Sequence, residues 1–442
     1  MHEHSGMPVT SSATSRLSAD RLTTSTPNFA DYDDHTAAPQ TVASERNRSR
    51  TLWHLYRSEI SSRAQIAKTL GLTPAAITKI TARLIDEGIV SETGDMKGSK
   101  QRRSIGLTIN TEEFHFIGVK FARSLVQIGV FDLKGTCLRL HDTPRISDNT
   151  IDVAIEATHR EIDSLLASDP RIVAIGMAVP GPYLHGSGYS ALVSAMPHWR
   201  NINFYEEFGQ NCPVPVFIEQ DARAGALAQR LFGALNDSRS LAYFLLGEGV
   251  GLGVIENSRL IYGNLGASTE LGHVSIDAAA GTRCECGNVG CLECYCSAGA
   301  IHKQIDELGI IAHSTSMTHI EACQTLFSLA QTPDGPDARQ ARDLVEQIGR
   351  YVGYGCVIIC NTFNPRNIVL GDIGALGGQQ LLDAAQAVVT ERVIPEIAQA
   401  TTIILSGLPT DAAVLGAAAT AITQFLDRPS LFRTSNMRKN TG

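Results

Sequence analysis

The sequence predicts an α/β body preceded by a winged helix-turn-helix. Three observations point there. After Thr108, strand-like segments alternate with helical ones, from "FHFIGVKFA" to a closing Ala-rich helix, "DAAVLGAAATAITQFL", which is the pattern of an α/β domain. Before it, two capped helical stretches run into two extended pieces joined by a basic hairpin. Charge divides the same way. Arg46 to Arg103 holds twelve Lys and Arg against five Asp and Glu, or +7, although the 442-residue chain carries −8. A basic segment on an acidic body suits a polyanion partner for one part only, the plainer alternative being a solvated charged face.

Residues 1–45 are rich in Ser, Thr, Asp and Ala and poor in large apolar residues, so a disordered tail is expected there. Residues 46–107 read as the winged helix-turn-helix. Leu52 and Leu55 sit at i, i+3 in a first helix. In "SRAQIAKTLG", Ser62 and Gln65 have the spacing of a capping box, and Gly71 stands where a left-handed cap belongs. In "LTPAAITKITARLIDEG", Thr73 is placed as an N-cap, Pro74 as the first helical residue and Gly88 as the terminator, with Ile77, Ile80, Leu84 and Ile85 as one apolar stripe. "IVSET" and "RSIGLTI" then form the wing around "GDMKGSKQRR". A short turn between the second and third helices presents the third to a major groove. Candidate DNA contacts are Arg63, Thr73, Thr78, Lys79, Thr81 and Arg83 on the helices and Lys97, Lys100, Arg102 and Arg103 on the wing, hydroxyl and cationic groups suited to base edges and phosphates.

Residues 108–427 form the body. "FHFIGVKFA" and "LVQIGVFDLKG" read as a hairpin, "IVAIGMAVPGP" as a buried strand, and "VFIEQDARAGALAQRLFG" as a strand followed by a helix. "LAYFLLGEGVGLGVIENSRLIYG" reads as two strands around a glycine loop, and "NIVLGD" as a further strand. Residues 428–442 read as a flexible C-terminal tail. No apolar run reaches the roughly 18 residues that a membrane span needs, and no secretory h-region opens the chain. The expected location is the cytoplasm, at the nucleoid, with no membrane partner and with reduced thiols.

Half of the ten cysteines fall in "TRCECGNVGCLECYC". A disulfide knot, a reactive thiol or a metal could explain this, and reducing surroundings favour the metal. Cys284, Cys286 and Cys291 give C-x-C-x4-C, with His273 eleven residues upstream. Three thiolates and an imidazole form a closed structural zinc set. Spacing alone leaves Cys294 and Cys296 open as alternative ligands, and a cluster of small buried thiols as the plainer reading.

The run "ELGHVSIDAAAGTRCECGNVGCLE" resembles the signature of the ROK family of bacterial repressors and sugar kinases, and the resemblance spans roughly residues 46–425. A winged helix ahead of such a body is similar to the family's regulators of carbohydrate use. The resemblance implies a two-lobed, ribonuclease-H-like actin/hexokinase fold, with zinc on His273, Cys284, Cys286 and Cys291. It also implies a sugar pocket of Gly181, Gln220, Asp221, Glu270, His273 and Glu293, in which Asp221 falls on the general base of the family's kinases. Two departures are Ala195, where the family often has Asn, and Gln220, where Asn is usual.

The resemblance also weighs against phosphoryl transfer. The family's first phosphate loop reads Asp-x-Gly-x-Thr, and the matching stretch here is Lys120-Phe121-Ala122-Arg123-Ser124. The second loop survives as "GEGVGLG", but with Glu248 where Thr is common, and the third motif is only partly kept in "VLGDIG". The sequence therefore indicates a non-enzymatic DNA-binding transcription regulator, a repressor of carbohydrate genes. It would bind double-stranded operator DNA as a homodimer or homotetramer, respond to a sugar or sugar derivative, and leave Asp221 as a vestigial base. The competing reading is an ATP-dependent sugar kinase.

Overall fold

Local signals set the first elements. The structure, a computed structural model, describes residues 40–96, 104–122, 125–142, 148–190, 198–199, 202–235, 239–333, 335–408 and 412–432. Lys97, Lys100, Arg102 and Arg103 of the expected wing tip lie outside these residues, as do Arg123, Ser124, Ala195 and most of the two expected tails. Helix α1 (Gln40–Ser58) leads through a two-residue strand β1 (Ser61–Ser62) into α2 (Arg63–Leu70) and α3 (Pro74–Asp86). The expected capping box closes on α2: the Ser62 hydroxyl accepts from the Gln65 amide, the Gln65 side chain accepts from the Ser62 amide, and Gly71 ends the helix at φ 66°. Thr73 caps α3 by accepting from the Ala76 amide. Strands β2 (Val90–Met96) and β3 (Ser104–Ile109) complete a three-stranded sheet in the order β1-β3-β2.

The body contains one topology twice. The first lobe runs β4 (His115–Phe121), β5 (Val126–Asp132), β6 (Cys137–Asp142), α4 (Ile151–Ser168), β7 (Ile172–Val179), β8 (Tyr183–Leu184), β9 (Tyr189–Ser190), α5 (Phe204–Phe208), β10 (Val216–Gln220) and α6 (Asp221–Phe232). The second runs β11 (Leu241–Leu246), β12 (Val250–Glu256), β13 (Arg259–Leu260), α7 (Glu293–Cys296), α8 (Ala298–Leu308), α9 (His319–Ala330), α10 (Pro336–Phe363), β14 (Asn367–Asp372), α11 (Ile373–Leu376), α12 (Gly378–Arg392), α13 (Pro395–Ala400), β15 (Thr402–Leu405) and α14 (Ala412–Asp427). The large sheets are ordered β10-β7-β4-β5-β6 and β13-β12-β11-β14-β15. Each has three antiparallel strands continued by two parallel ones, the order 3-2-1-4-5 in chain sequence.

The helix that ends each lobe crosses to the other lobe's sheet. Helix α6 packs on β11 and β12, α14 on β4 and β7, and the two helices pack on each other. Small residues make this possible. A Cβ on Gly176 would stand 1.8 Å from the Ala417 carbonyl oxygen, and one on Gly416 would stand 2.9 Å from the Ala224 backbone. The core is continuous across residue 107: Leu52, Leu55, Ile66, Ile77 and Leu84 of the helix-turn-helix belong to the cluster that holds Phe116, Leu227, Ile422 and Phe425. The chain also stays on the body past Asp427. Phe432 is buried, with its ring 5.1 Å from that of Phe425 and 6.0 Å from that of Phe217. This departs from the expected tail, because aromatic burial outweighs the polar composition around it. No helix among the described residues is long and apolar enough to cross a membrane.

Candidate functional site

On α3, Ala75, Thr78, Lys79 and Ala82 are exposed at i, i+3, i+4 and i+7, with Thr73 exposed at the cap. This is one outward face, and the sequence reading missed its two alanines, whose small side chains permit close approach. Thr81 does not face outward as expected. It is fully buried, donates to the Ile77 carbonyl at 2.9 Å and accepts from the Arg63 Nε at 3.1 Å. The reason is its place on the same face as Ile77 and Leu84. Arg63 is further held by Glu92 at 2.8 Å, and Arg83, although exposed, lies 3.0 Å from Glu87. Glu87 in turn pairs with the buried Arg48 of α1. Thr73, Thr78 and Lys79 are thus the helical candidates presented to a partner.

The cysteine loop folds back on itself. Gly287 and Gly290 take φ of 94° and 73°, and a Cβ on Gly290 would stand 2.0 Å from the Asp277 carbonyl oxygen. One donor atom from each of His273, Cys284, Cys286 and Cys291 lies within 4.8 Å of the others. Cys284 Sγ is 3.7 Å from His273 Nδ1, and Cys286 Sγ is 3.7 Å from Cys291 Sγ. A tetrahedral ion with bonds of about 2.0–2.3 Å has ligand–ligand edges of roughly 3.5–3.8 Å, so this donor set can hold a metal ion. Cys294 and Cys296, left open by spacing, are outside the four. The Cys296 thiol donates to the Leu292 carbonyl at 3.5 Å. None of the ten cysteines forms a disulfide.

Between the lobes lies a cavity of about 350 Å³, and all six expected pocket residues line it: Gly181, Gln220, Asp221, Glu270, His273 and Glu293. Gly181 packs against the Gln220 side chain: a Cβ there would stand 2.3 Å from Gln220 Nε2, so any larger residue would have to displace that side chain. Gln220 donates to Glu270 Oε1 at 3.3 Å, and its own Oε1 is buried with no hydrogen-bond partner among the described residues. Glu293 ties the cysteine loop to the glycine loop by accepting from the Val250 amide at 2.9 Å, and the Ala298 amide donates to the Gly247 carbonyl at 2.8 Å. Burial, followed by the charges of Asp221 and Glu293, pushes Glu270 up to about 7 against the pull of Arg223.

Behind the cavity stands a buried ionic group that the sequence reading missed. Arg223 Nε donates to Glu219 Oε1 at 2.6 Å, the Gln220 amide donates to the same oxygen at 2.8 Å, and His185 Nε2 lies 3.3 Å from it. The Arg223 guanidinium also sits 5.6 Å from the Tyr262 ring centroid. Burial works against the Glu219 charge, yet Arg223 and His185 together hold its carboxyl down at about 2. The spacing of Glu219 and Arg223 at i, i+4 was the available signal, but by itself it describes a surface pair equally well.

Lys120, Glu248, Glu321 and Asp372 also line the cavity. Glu248 Oε2 is 2.8 Å from His319 Nδ1. Asp372 takes φ 55° and ψ −130°, a strained backbone for a side-chain-bearing residue. Burial, with Glu248 adding to it, raises its carboxyl, and Lys120 opposes the rise.

A family model described as "ROK family" matches residues 116–424. The chain belongs to the ROK family. Its curated relatives include the xylose repressor of Bacillus spizizenii, 29% identical over 88% of this chain and 98% of that protein. They also include the N-acetylglucosamine repressor of Escherichia coli O157:H7, 30% identical over 75% of this chain and 82% of that protein. Among solved structures, a ROK family transcriptional regulator described as a homolog of E. coli MLC matches with TM-score 0.72 and 28% identity, covering 88% of this chain and 98% of that one. A ROK family glucokinase from Streptomyces griseus matches with TM-score 0.59 and 22% identity over 69% of this chain and 98% of that one, a likeness of fold. This ROK protein is therefore a mixed α/β chain with a sugar-kinase-like body behind an N-terminal helix-turn-helix region.

Proposed function

We propose that this ROK protein is a DNA-binding transcription regulator, a repressor of carbohydrate genes, whose operator occupancy is set by a sugar-type effector in the interlobe cavity. The observation that carries the reading is the pairing, on one continuous core, of an exposed α3 face bearing Thr73, Thr78 and Lys79 with a cavity where the polar side chains of Gln220, Asp221, Glu270, His273 and Glu293 converge. Carboxylates and a carboxamide there accept and donate hydroxyl hydrogen bonds. The names of the relatives, a xylose repressor and an N-acetylglucosamine repressor, support the same class. Two copies would place two α3 helices on the half-sites of an operator.

Phosphoryl transfer is disfavoured on electrostatic grounds. A kinase cleft needs groups that hold triphosphate and magnesium. Lys120 stands where the family's kinases carry a metal-associated Asp, and Glu248, Glu321 and Asp372 line the same cavity. A carboxylate about 4 Å from a phosphate costs a few kcal/mol at intermediate dielectric. Asp221 is then a polyol ligand instead of a working base. The Cys3His group would hold zinc with all four positions filled, a structural role that secures the loop carrying Glu293 against the cavity.

Genome-wide mapping of bound sites, with and without D-xylose and N-acetyl-D-glucosamine, tests the reading. Sites upstream of carbohydrate genes that empty with one sugar are expected. Turnover of ATP on a hexose at ordinary enzyme rates, with no site-specific DNA binding, would overturn it in favour of the kinase.

A further inference from the structure

Helix α6 has one end in the cavity and the other against the DNA-reading region, and we propose that Arg230, at its far end, is the positioning residue that passes the state of the cavity to α1. The inference rests on the effector-controlled reading above and adds the route by which control reaches the reader.

The near end of the route is the cavity wall. Asp221, the first residue of α6, lines the cavity, and Arg223 anchors the same turn to Glu219. The helix is twelve residues long, about 18 Å at 1.5 Å per residue. Every residue from Ala222 to Leu231 is buried. Its backbone is gripped from two sides: a Cβ on Gly253 would stand 2.3 Å from the Ala222 carbonyl oxygen, and a Cβ on Gly416 would stand 2.9 Å from the Ala224 backbone. Contacts made by backbone and small residues have no side-chain freedom with which to absorb a displacement. A shift at Asp221 therefore moves α6 as a unit.

The far end grips a single indole. The Arg230 guanidinium carbon lies 4.6 Å from the centroid of the Trp53 ring, and Arg230 is buried. Trp53 belongs to α1, and its Nε1 donates to Asp427 Oδ1 at 2.6 Å. Asp427 is the last residue of α14, so the two lobe-crossing helices hold one ring between them. A shift of α6 or α14 relative to α1 must therefore displace Trp53 or break a contact that it makes with those helices. Because α1 packs into the same core as α2 and α3, such a displacement changes the placement of the α3 face.

The chain has two tryptophans, Trp53 and Trp199. The full-length Trp199→Phe protein therefore reports Trp53 alone. Sugar binding is read by calorimetry with D-xylose, D-glucose and N-acetyl-D-glucosamine, and Trp53 emission is recorded in the same titrations. The expected result is an emission shift that saturates with the heat. In Arg230→Met the heat should remain within about twofold in affinity while the emission shift disappears. The operator-affinity ratio with and without sugar should then fall toward one from the roughly 5–150-fold range usual for coupled sites. Arg230→Lys, which keeps the charge but not the planar stack, should reduce the shift and carries the test if the Met variant does not fold. Heat without an emission change in the parent, or a response that survives in Arg230→Met, overturns the coupling alone. No heat with any of the sugars removes the effector reading and the coupling with it.

Discussion

Arg223→Met removes the guanidinium that compensates Glu219 while keeping most of the side-chain volume. Glu219 is 2% exposed, so its charge has almost no solvent to fall back on. Its carboxyl is held at about 2 instead of 4.5, and that depression corresponds to roughly 3 kcal/mol of native stability. Removing one partner of a buried pair costs a similar amount, about 3–5 kcal/mol. A depressed carboxyl contributes stability that is present above its unfolded value near 4.5 and lost as pH falls toward 2. In the variant, burial without the cation favours the protonated carboxyl, so the variant recovers as pH drops. Urea unfolding of parent and variant should therefore show the full gap at pH 7 and a smaller one at pH 4. Glu219→Gln combined with Arg223→Met should restore much of the loss, since no lone charge is left. A gap under about 1 kcal/mol at pH 7, or one that widens on acidification, would refute the reasoning. The cavity wall should show the same trend, because the Gln220 amide is bonded to Glu219.

Three further outcomes are expected. Cys286→Ser should reduce bound zinc from stoichiometric to a small fraction by elemental analysis and lower the melting temperature, whereas Cys294→Ser should leave both unchanged. Lys79→Ala should weaken duplex binding and reduce the slope of log affinity against log salt by about 0.9, read by fluorescence anisotropy at several salt concentrations. Glu270 has its carboxyl raised to about 7, so an effector whose hydroxyls it accepts as a carboxylate should bind more tightly as pH rises from 6 to 8. Calorimetry should find that dependence flattened in Glu270→Gln.

Short-range chemistry was the legible part of the sequence. The capping box Ser62–Gln65 and the N-cap Thr73 followed by Pro74 fix helix starts from within four residues, and the C-x-C-x4-C spacing with His273 points to a ligand set, although it left Cys294 and Cys296 open. Thr81 shows how a residue type can mislead. Its hydroxyl suggested a groove contact, but its position four residues after Ile77 and three before Leu84 put it on the buried face, where Ile77 and Arg63 satisfy it. The twofold lobe topology left no trace as a sequence repeat, because the two sheets share strand order and not side chains. The Glu219–Arg223 pair and the Arg230–Trp53–Asp427 contact were equally hidden. The first is buried only once His185 and Tyr262 are brought against it, and the second joins residues 374 apart in sequence, Trp53 and Asp427. Phe432 belongs with them, since its burial depends on where Phe425 and Phe217 meet.

The most direct test of the central claim is an anisotropy titration of a duplex selected by the intact protein from random sequence, with and without the sugar that gives calorimetric heat. The account predicts tight, salt-dependent binding that the sugar weakens by at least several-fold and that Thr78→Ala with Lys79→Ala abolishes. Equal affinity for selected and unselected duplexes, indifferent to sugar and to the α3 substitutions, would contradict it.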